Sequence, residues 1–433
     1  MKKYFILSLI VMSTMLTAIN LQESINCALG NNLELKAQEE SLKAAKATEV
    51  SSYLSLGPTA SLGMNYSDTD ANFDKENFNN TFSLSVRQPI FNGGKVLLSS
   101  LINKDLRKIE EQNFLAKRLE VIAQTEDKYF SVLEAKEFMN IAKQNLISAE
   151  ENFKKGQVRF EVGSISQVDL LQLQSDFASK EVSFLQSKNR YQLAMKSLEN
   201  YLQKDNITDI SEIDFSAYEE VINKLKNADD IDRLGEKILE VSYQNNPTLK
   251  ITDLSKSTGK KSLLMAAGNF MPTVNLSYNK NWNDTDNSMG MQDYDSSESV
   301  GLSISVPIFP IADNGLNLAK ANYNLRKTTY TAENTKDIIN LTIKNALYTL
   351  VSNAKMIDSA KLAYEYASES YKQMEEKFNN GMISANDLLS SRVMLSSAQT
   401  SYATAKYDFL RAQSNILQQL GSENKDILNK LIK

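Results

Sequence analysis

Phe160-Glu161-Val162-Gly163-Ser164-Ile165-Ser166-Gln167-Val168-Asp169-Leu170 decides the fold, because its parts stop one helix and start another. Gly163 suits the left-handed position that closes a helix C-terminus, and Ser166 with Asp169 three residues on reads as the capping box that opens the next helix. The same grammar returns in Phe378-Asn379-Asn380-Gly381-Met382-Ile383-Ser384-Ala385-Asn386-Asp387-Leu388, with Gly163 and Gly381 standing 218 positions apart. Two helical hairpins are predicted, one in each half of the chain.

The flanks of both turns obey a period of seven. Leu170, Phe177, Phe184, Tyr191 and Leu198 follow the first turn, and Leu388, Leu395, Tyr402, Phe409 and Ile416 follow the second. Before the turns stand Val132, Met139, Leu146, Phe153 and Phe160, matched by Ile357, Tyr364, Tyr371 and Phe378. An ordinary bundle core would explain an apolar stripe, but a strict heptad over so many turns imposes left-handed supercoiling. From Gly94 to Phe160 there is no Pro and only Gly156 in the interior, so at 1.5 Å per residue the helix is on the order of 100 Å long.

Further outward, the two halves repeat as wholes. Asn31-Asn32-Leu33-Glu34-Leu35-Lys36 recurs as Asn245-Asn246-Pro247-Thr248-Leu249-Lys250, and Pro58 recurs as Pro272, at a spacing of 214; from Pro89 and Pro307 onward the spacing is 218. One architecture copied once implies a pseudo-twofold and not a solenoid.

Four segments break the helical pattern by strict alternation. Ala60, Leu62, Met64 and Tyr66 form one apolar row, and Phe82, Leu84 and Val86 a second. Val274, Leu276, Tyr278 and Trp282 form a third, and Val300, Leu302, Ile304 and Val306 a fourth. The intervening residues are mainly Ser, Thr, Asn and Gly. Soluble hairpins with one face on a core share this alternation, but a small, nearly uncharged second face fits a wet lumen better than a soluble surface, and predicts transmembrane β-strands. Four strands cannot close a barrel, and open edges are not tolerated in hydrocarbon, so the barrel must be shared between copies; three copies give twelve strands. The hairpin loops are acidic, with Asp68, Asp70, Asp74 and Glu76 in the first and Asp284, Asp286, Asp293, Asp295 and Glu298 in the second, against Lys75 alone. They read either as solvated tips or as a mouth that favours cations.

Composition narrows the function. The chain of 433 residues has 15 Gly and 6 Pro, few breakers for its length, and a net charge of −5 that supplies no basic footprint for nucleic acid. It has no His and a single Cys, which removes the imidazole base, the common zinc sites and any intramolecular disulfide. No enzyme, cofactor or metal is expected, and Cys27 reads as a small buried thiol. Residues 1–18, with Met1-Lys2-Lys3, an apolar run and Ala18, read as a secretory signal. The first repeat is placed at 19–202 (β-hairpin 59–90, turn near 163) and the second at 233–420 (β-hairpin 273–308, turn near 381), with a tail at 421–433. Between them, 203–232 loses the heptad and reads as an equatorial belt or a flexible linker.

In order and duplication these features resemble the TolC-like outer membrane efflux protein family across nearly the whole mature chain. The opening helix Leu21-Gln22-Glu23-Ser24-Ile25, the junction Gln88-Pro89-Ile90-Phe91-Asn92-Gly93-Gly94 and the turn from Val162-Gly163 to Asp169-Leu170-Leu171 carry the likeness. The resemblance implies a mixed α+β membrane protein. Long coiled-coil hairpins and four transmembrane strands per protomer would assemble as a homotrimer with a 12-stranded barrel in outer-membrane lipid and a 12-helix tunnel in the periplasm. It implies a passive channel serving a periplasmic adaptor and an inner-membrane efflux or ABC transporter, in drug efflux or type I secretion. The competing reading is a secreted coiled-coil structural or adhesive protein without a pore.

The resemblance further implies that Val162, Gly163, Ser164, Asn380, Gly381 and Met382 seat the adaptor. It places Pro89, Gly93, Gly94 and Pro307 at the junction of barrel and tunnel, and an entrance constriction at Asp169, Asp387, Phe378 and Ser390. Both aspartates also read as helix N-caps, a role compatible with the first. Ser390 replaces a second ring aspartate, and Phe378 and Ile383 replace the family's tyrosine and arginine latch, so apolar contacts around Phe378 are expected to hold the entrance. Pro307-Ile308-Phe309-Pro310 departs from the Gly pair of the first junction and predicts a local bulge.

Overall fold

The computed structural model describes residues 18–68, 78–226, 231–286, 292–309, 311–424 and 426–431. The apolar N-terminal run, the loop residues Asp70, Asp74, Lys75 and Glu76, and Pro310 lie outside them. In chain order the helices are α1 (Leu21–Asn31), α2 (Leu33–Leu54), α3 (Lys95–Glu161), α4 (Gln167–Leu202), α5 (Glu219–Lys226), α6 (Ile231–Asn245), α7 (Pro247–Ala267), α8 (Ile311–Asn379), α9 (Ala385–Leu420) and α10 (Asp426–Leu431). Two compact units divide the chain. One comprises Met1–Lys36, Lys117–Asn245 and Asn340–Lys433, the other Ala37–Ala116 and Asn246–Ile339. Each draws on both sequence repeats.

The second unit holds one antiparallel sheet in the order β1 (Thr59–Asp68), β2 (Phe78–Asn92), β3 (Thr273–Asp286), β4 (Gln292–Ser305). The ladder between β2 and β3 joins the two repeats, and β1 and β4 are the edges. Cross-strand rows follow the predicted alternation: Leu62 faces Leu84, Met64 faces Phe82, and Phe82 faces Trp282. Among the described residues nothing covers the apolar face; Leu62, Val300 and Ile304 are 77%, 74% and 65% exposed. An exposed apolar face of this extent marks a surface for interaction.

The strands run further than the sequence reading allowed. Asp68 belongs to β1, Asp284 and Asp286 to β3, and Asp293, Asp295 and Glu298 to β4, so these are not loop residues. Glu298 lies opposite Lys280, and the two form an ion pair on the apolar face, where the Lys280 ammonium also stands 5.3 Å from the Trp282 ring centre. The expected bulge is also elsewhere. It falls between Pro89 and Phe91 in β2, where Pro89 has no N–H to give the ladder, whereas β4 simply ends at Ser305 before Pro307. The bulge moves Ile90 out of register and brings Phe91 opposite Val274 on the apolar face.

Gly93 and Gly94 follow β2 with φ of 66° and 75°, a conformation that leads directly into α3 (Lys95–Glu161). A Cβ on Gly93 would overlap the carbonyl of Gly268, and one on Gly268 that of Gly93. Gly268 follows α7 (Pro247–Ala267), so main chain from the two repeats meets here with no side chain between. The second junction has no such pair; α8 (Ile311–Asn379) begins after the exposed Ile308 and Phe309.

The first unit contains the turns. α3 and α8, of 67 and 69 residues, end in them, and α4 (Gln167–Leu202) and α9 (Ala385–Leu420) return. Heptad residues meet within each hairpin as the period requires. Phe153 stacks on Phe177 with ring centres 6.0 Å apart, and Tyr364 on Tyr402 at 6.1 Å. The segment after α4 is folded and is no free linker. Ile210 is buried and bridges to Ile19, Phe215 meets Tyr407 edge-on at 6.0 Å, and a short helix, Glu219–Lys226, buries Val221, Ile222 and Leu225. Cys27, on the helix Leu21–Asn31, is half-buried, with its thiol 3.5 Å from the Leu202 carbonyl.

Candidate functional site

Both turns are built by the same hydrogen bonds. At the first, Gly163 has φ 75°, its N–H donates to the Phe160 carbonyl at 2.9 Å, and the Ser164 N–H donates to that of Arg159 at 2.7 Å. At the second, Gly381 has φ 72°, and Gly381 and Met382 donate to Phe378 and Lys377, each at 2.9 Å. This pattern satisfies the last carbonyls of α3 and α8 and needs a residue without a Cβ penalty at its left-handed position. The next helices then open on reciprocal caps. Ser166 Oγ accepts from the Asp169 N–H at 3.1 Å while the Asp169 carboxylate accepts from the Ser166 N–H at 3.3 Å; Ser384 and Asp387 repeat this at 3.3 and 3.1 Å.

The turns are not equivalent beyond that. Asp169 uses its second oxygen to accept the Ala385 N–H at 3.4 Å, so the first turn also caps the helix of the second. The hydrogen bond from Ser166, helped by the backbone donors of Ser166 and Ala385, holds the Asp169 carboxyl below the ordinary carboxylate range. Arg159, from the last turn of α3, donates to the Phe378 carbonyl at 2.5 Å and lies 5.0 Å from the Phe378 ring centre. A cation is thereby placed on the negative end of α8 by the neighbouring hairpin.

Val162, Gly163, Ser164, Asn380, Gly381 and Met382 are exposed at the turns, and Asp387 and Ser390 are exposed beyond them. Phe378 is different. It is 1% exposed and packs with Leu173, Ala385 and Leu388, flanked by Phe153, Ile165, Tyr371, Met374, Ile383 and Leu389. It therefore cements the two hairpins and presents no surface to an entrance; Ile383 joins the same cluster.

Sequence reasoning missed a second tie two turns into α9. Arg392 is 1% exposed, donates to the Tyr371 hydroxyl at 2.5 Å, and reaches Asp176 of α4 at 3.5 Å. Its guanidinium stands 5.3 Å from the Tyr371 ring centre. Ser148 of α3 completes the group at 3.4 Å from the same hydroxyl. The signal was available: Arg392 occupies the heptad position between Leu388 and Leu395, and a charge in a seam fixes register and partner choice. Beside these residues, Asn152 is buried with neither side-chain oxygen nor nitrogen hydrogen-bonded, a cost of about 1–3 kcal/mol that the surrounding contacts must offset.

Comparison with known proteins adds identity to this geometry. A family profile described as "Outer membrane efflux protein" matches residues 24–203 and 238–422. Outer membrane protein TolC of Escherichia coli strain K12 is 24% identical over 98% of this chain and 86% of its own length. Alkaline protease secretion protein AprF of Pseudomonas aeruginosa is 21% identical over 92% of this chain and 84% of its own. Among solved structures, the CmeC outer membrane channel of Campylobacter jejuni superposes with a TM-score of 0.76 at 18% identity, covering 95% of this chain and 89% of CmeC. Residues 204–237 lie between the two matched segments.

Proposed function

This chain belongs to the outer membrane efflux protein family and is a channel of the bacterial outer membrane serving efflux or secretion, and from that premise we propose that three copies close one pore. The observation that carries the trimer is the sheet. β1 and β4 are edges with unpaired main-chain groups, and the face they border is apolar and bare. In lipid an unpaired edge is untenable, and twelve strands close a lumen wide enough to conduct, whereas eight leave one filled by side chains.

The long hairpins of three protomers form a tunnel across the periplasm. The exposed turn residues Val162, Gly163, Ser164, Asn380, Gly381 and Met382 seat a periplasmic adaptor that couples the channel to an inner-membrane efflux or ABC transporter. Asp169 and Asp387 give the entrance its negative charge, and Ser390 lines it without adding to that charge. Pro89, Gly93, Gly94 and Pro307 mark where barrel becomes tunnel. Opening requires the hairpins to part, and the contacts that resist parting are the Phe378 cluster, Arg159 on the α8 carbonyl, and Arg392 between Tyr371 and Asp176.

Solubilisation of the mature protein in detergent, followed by mass determination and planar-bilayer recording, tests this reading. A trimer with steady ionic conductance is expected. A monomer fully dispersed in water without detergent, or a trimer that passes no current, overturns it.

A further inference from the structure

The polar face of the sheet is nearly free of charge. Among the residues whose side chains are described it carries Ser, Thr, Asn, Gly and Pro89, with Arg87 and Asp295 as its only ionised groups. Asp295 pairs with Asn283 near the hairpin end, and Arg87 pairs with Thr59 and Ser277 near the helical end. Arg87 is exposed and makes no ion pair among the described residues, and its lateral neighbours Ser85, Asn275 and Asn279 are neutral. A guanidinium is always protonated and strongly favours oxyanions, so a free one on an otherwise neutral wall dominates the local field.

We infer that Arg87, brought together threefold, forms a basic collar inside the inner end of the barrel that attracts the anionic groups of passing solutes. The inference rests on the trimeric pore proposed above. Twelve strands spaced about 4.8 Å apart and tilted by about 40° enclose a backbone radius of roughly 12 Å. An arginine reaches about 6 Å inward, which leaves each charge roughly 6 Å from the axis, inside the Debye length of about 8 Å at physiological ionic strength. Three such charges act on any solute that passes. Along the sheet the sign then changes from positive at Arg87 near the helical end to negative at Asp295 near the hairpin end. A carboxylate or phosphate group drawn out of the tunnel meets a way-station at the collar, where rings of arginine favour anions in pores generally.

The test is block of single trimers in planar bilayers by inositol hexakisphosphate added on the barrel side, in 0.1 M and 1 M KCl. Block of the parent channel at low salt is expected, weakened by about tenfold in Arg87→Ser, kept within about twofold in Arg87→Lys, and lost for all at 1 M salt, where the Debye length falls to about 3 Å. Should Arg87→Ser fail to insert, Arg87→Gln gives the same comparison. A parent channel that conducts but is not blocked, or that is blocked equally with and without Arg87, overturns the collar and leaves the channel standing. A parent that passes no current overturns both.

Discussion

The two turns share their sequence grammar and nearly all of their backbone hydrogen bonds, yet Phe160 is 39% exposed where its repeat partner Phe378 is 1% exposed. The same inequality holds deeper in: Leu388 is fully buried while Leu170 is only partly so, and the buried Arg392 stands where the first repeat has the exposed Gln174. Arg159, Asp169 and Asp176 of the first hairpin all reach for the second, at Phe378, Ala385 and Arg392. Duplication therefore conserves what builds a turn and not what holds it. The first hairpin supplies side chains and the second mostly main-chain groups, so two copies of one motif hold one another by unlike contacts.

The largest expected break in that inequality is at the aromatic pair. Phe378→Ala should destabilise the protein by about 3–5 kcal/mol, as loss of a fully buried phenyl does, whereas Phe160→Ala should cost less than about 1 kcal/mol. Thermal unfolding followed by circular dichroism separates them; equal losses would show that the hairpins are equivalent after all. Next comes the charge in the seam. Arg392→Ala should cost about 2–4 kcal/mol, because it removes a buried partner of Tyr371 and Asp176, and should raise resting single-channel conductance, while Gln174→Ala stays within about 0.5 kcal/mol of the parent.

Asp169 and Asp387 offer a smaller contrast. Asp387→Ala should cost about 1 kcal/mol, the worth of a cap, and Asp169→Ala up to about 2 kcal/mol, since it also releases Ala385. Asp169 carries a pH signature as well. Its folded value lies below the unfolded one, so its contribution is fully present above about pH 4 and is lost as the pH falls through the folded value. Urea midpoints measured between pH 6 and pH 2.5 should decline less steeply in Asp169→Asn. The finest comparison is between glycines. Gly163→Ala and Gly381→Ala should each cost about 1 kcal/mol for the left-handed backbone, with Gly381→Ala the worse, because its Cβ would stand 3.2 Å from the Arg159 guanidinium whereas that of Gly163 meets open space.

Local rules made much of this legible beforehand. Gly163, Ser166 and Asp169 name a stop and a start, and the heptads name the faces that meet, because both depend on residues close in sequence. The strands were legible as alternation, but their ends were not. Asp293, Asp295 and Glu298 look like loop, and only the cross-strand partner Lys280 makes Glu298 a strand residue. The ties between hairpins were illegible for the same reason: Arg159, Asp176 and Arg392 find partners more than two hundred residues away or on another helix, and no local pattern announces such a meeting. Gly268 likewise reads as an ordinary helix end until Gly93 is set against it.

Trp282 is the only tryptophan in the chain, and Lys280 and Glu298 are an ion pair one alternation below it on a face otherwise made mainly of aliphatic and aromatic side chains. In the proposed barrel that row draws a waterline. Acyl chains would wet the wall up to Tyr278 and Val300, charged headgroups would begin at the pair, and the indole would stand among them one alternation further along β3. Three such marks around the circumference fix the draught at which the vessel rides, so the bilayer cannot climb past them without stripping water from six ions at once.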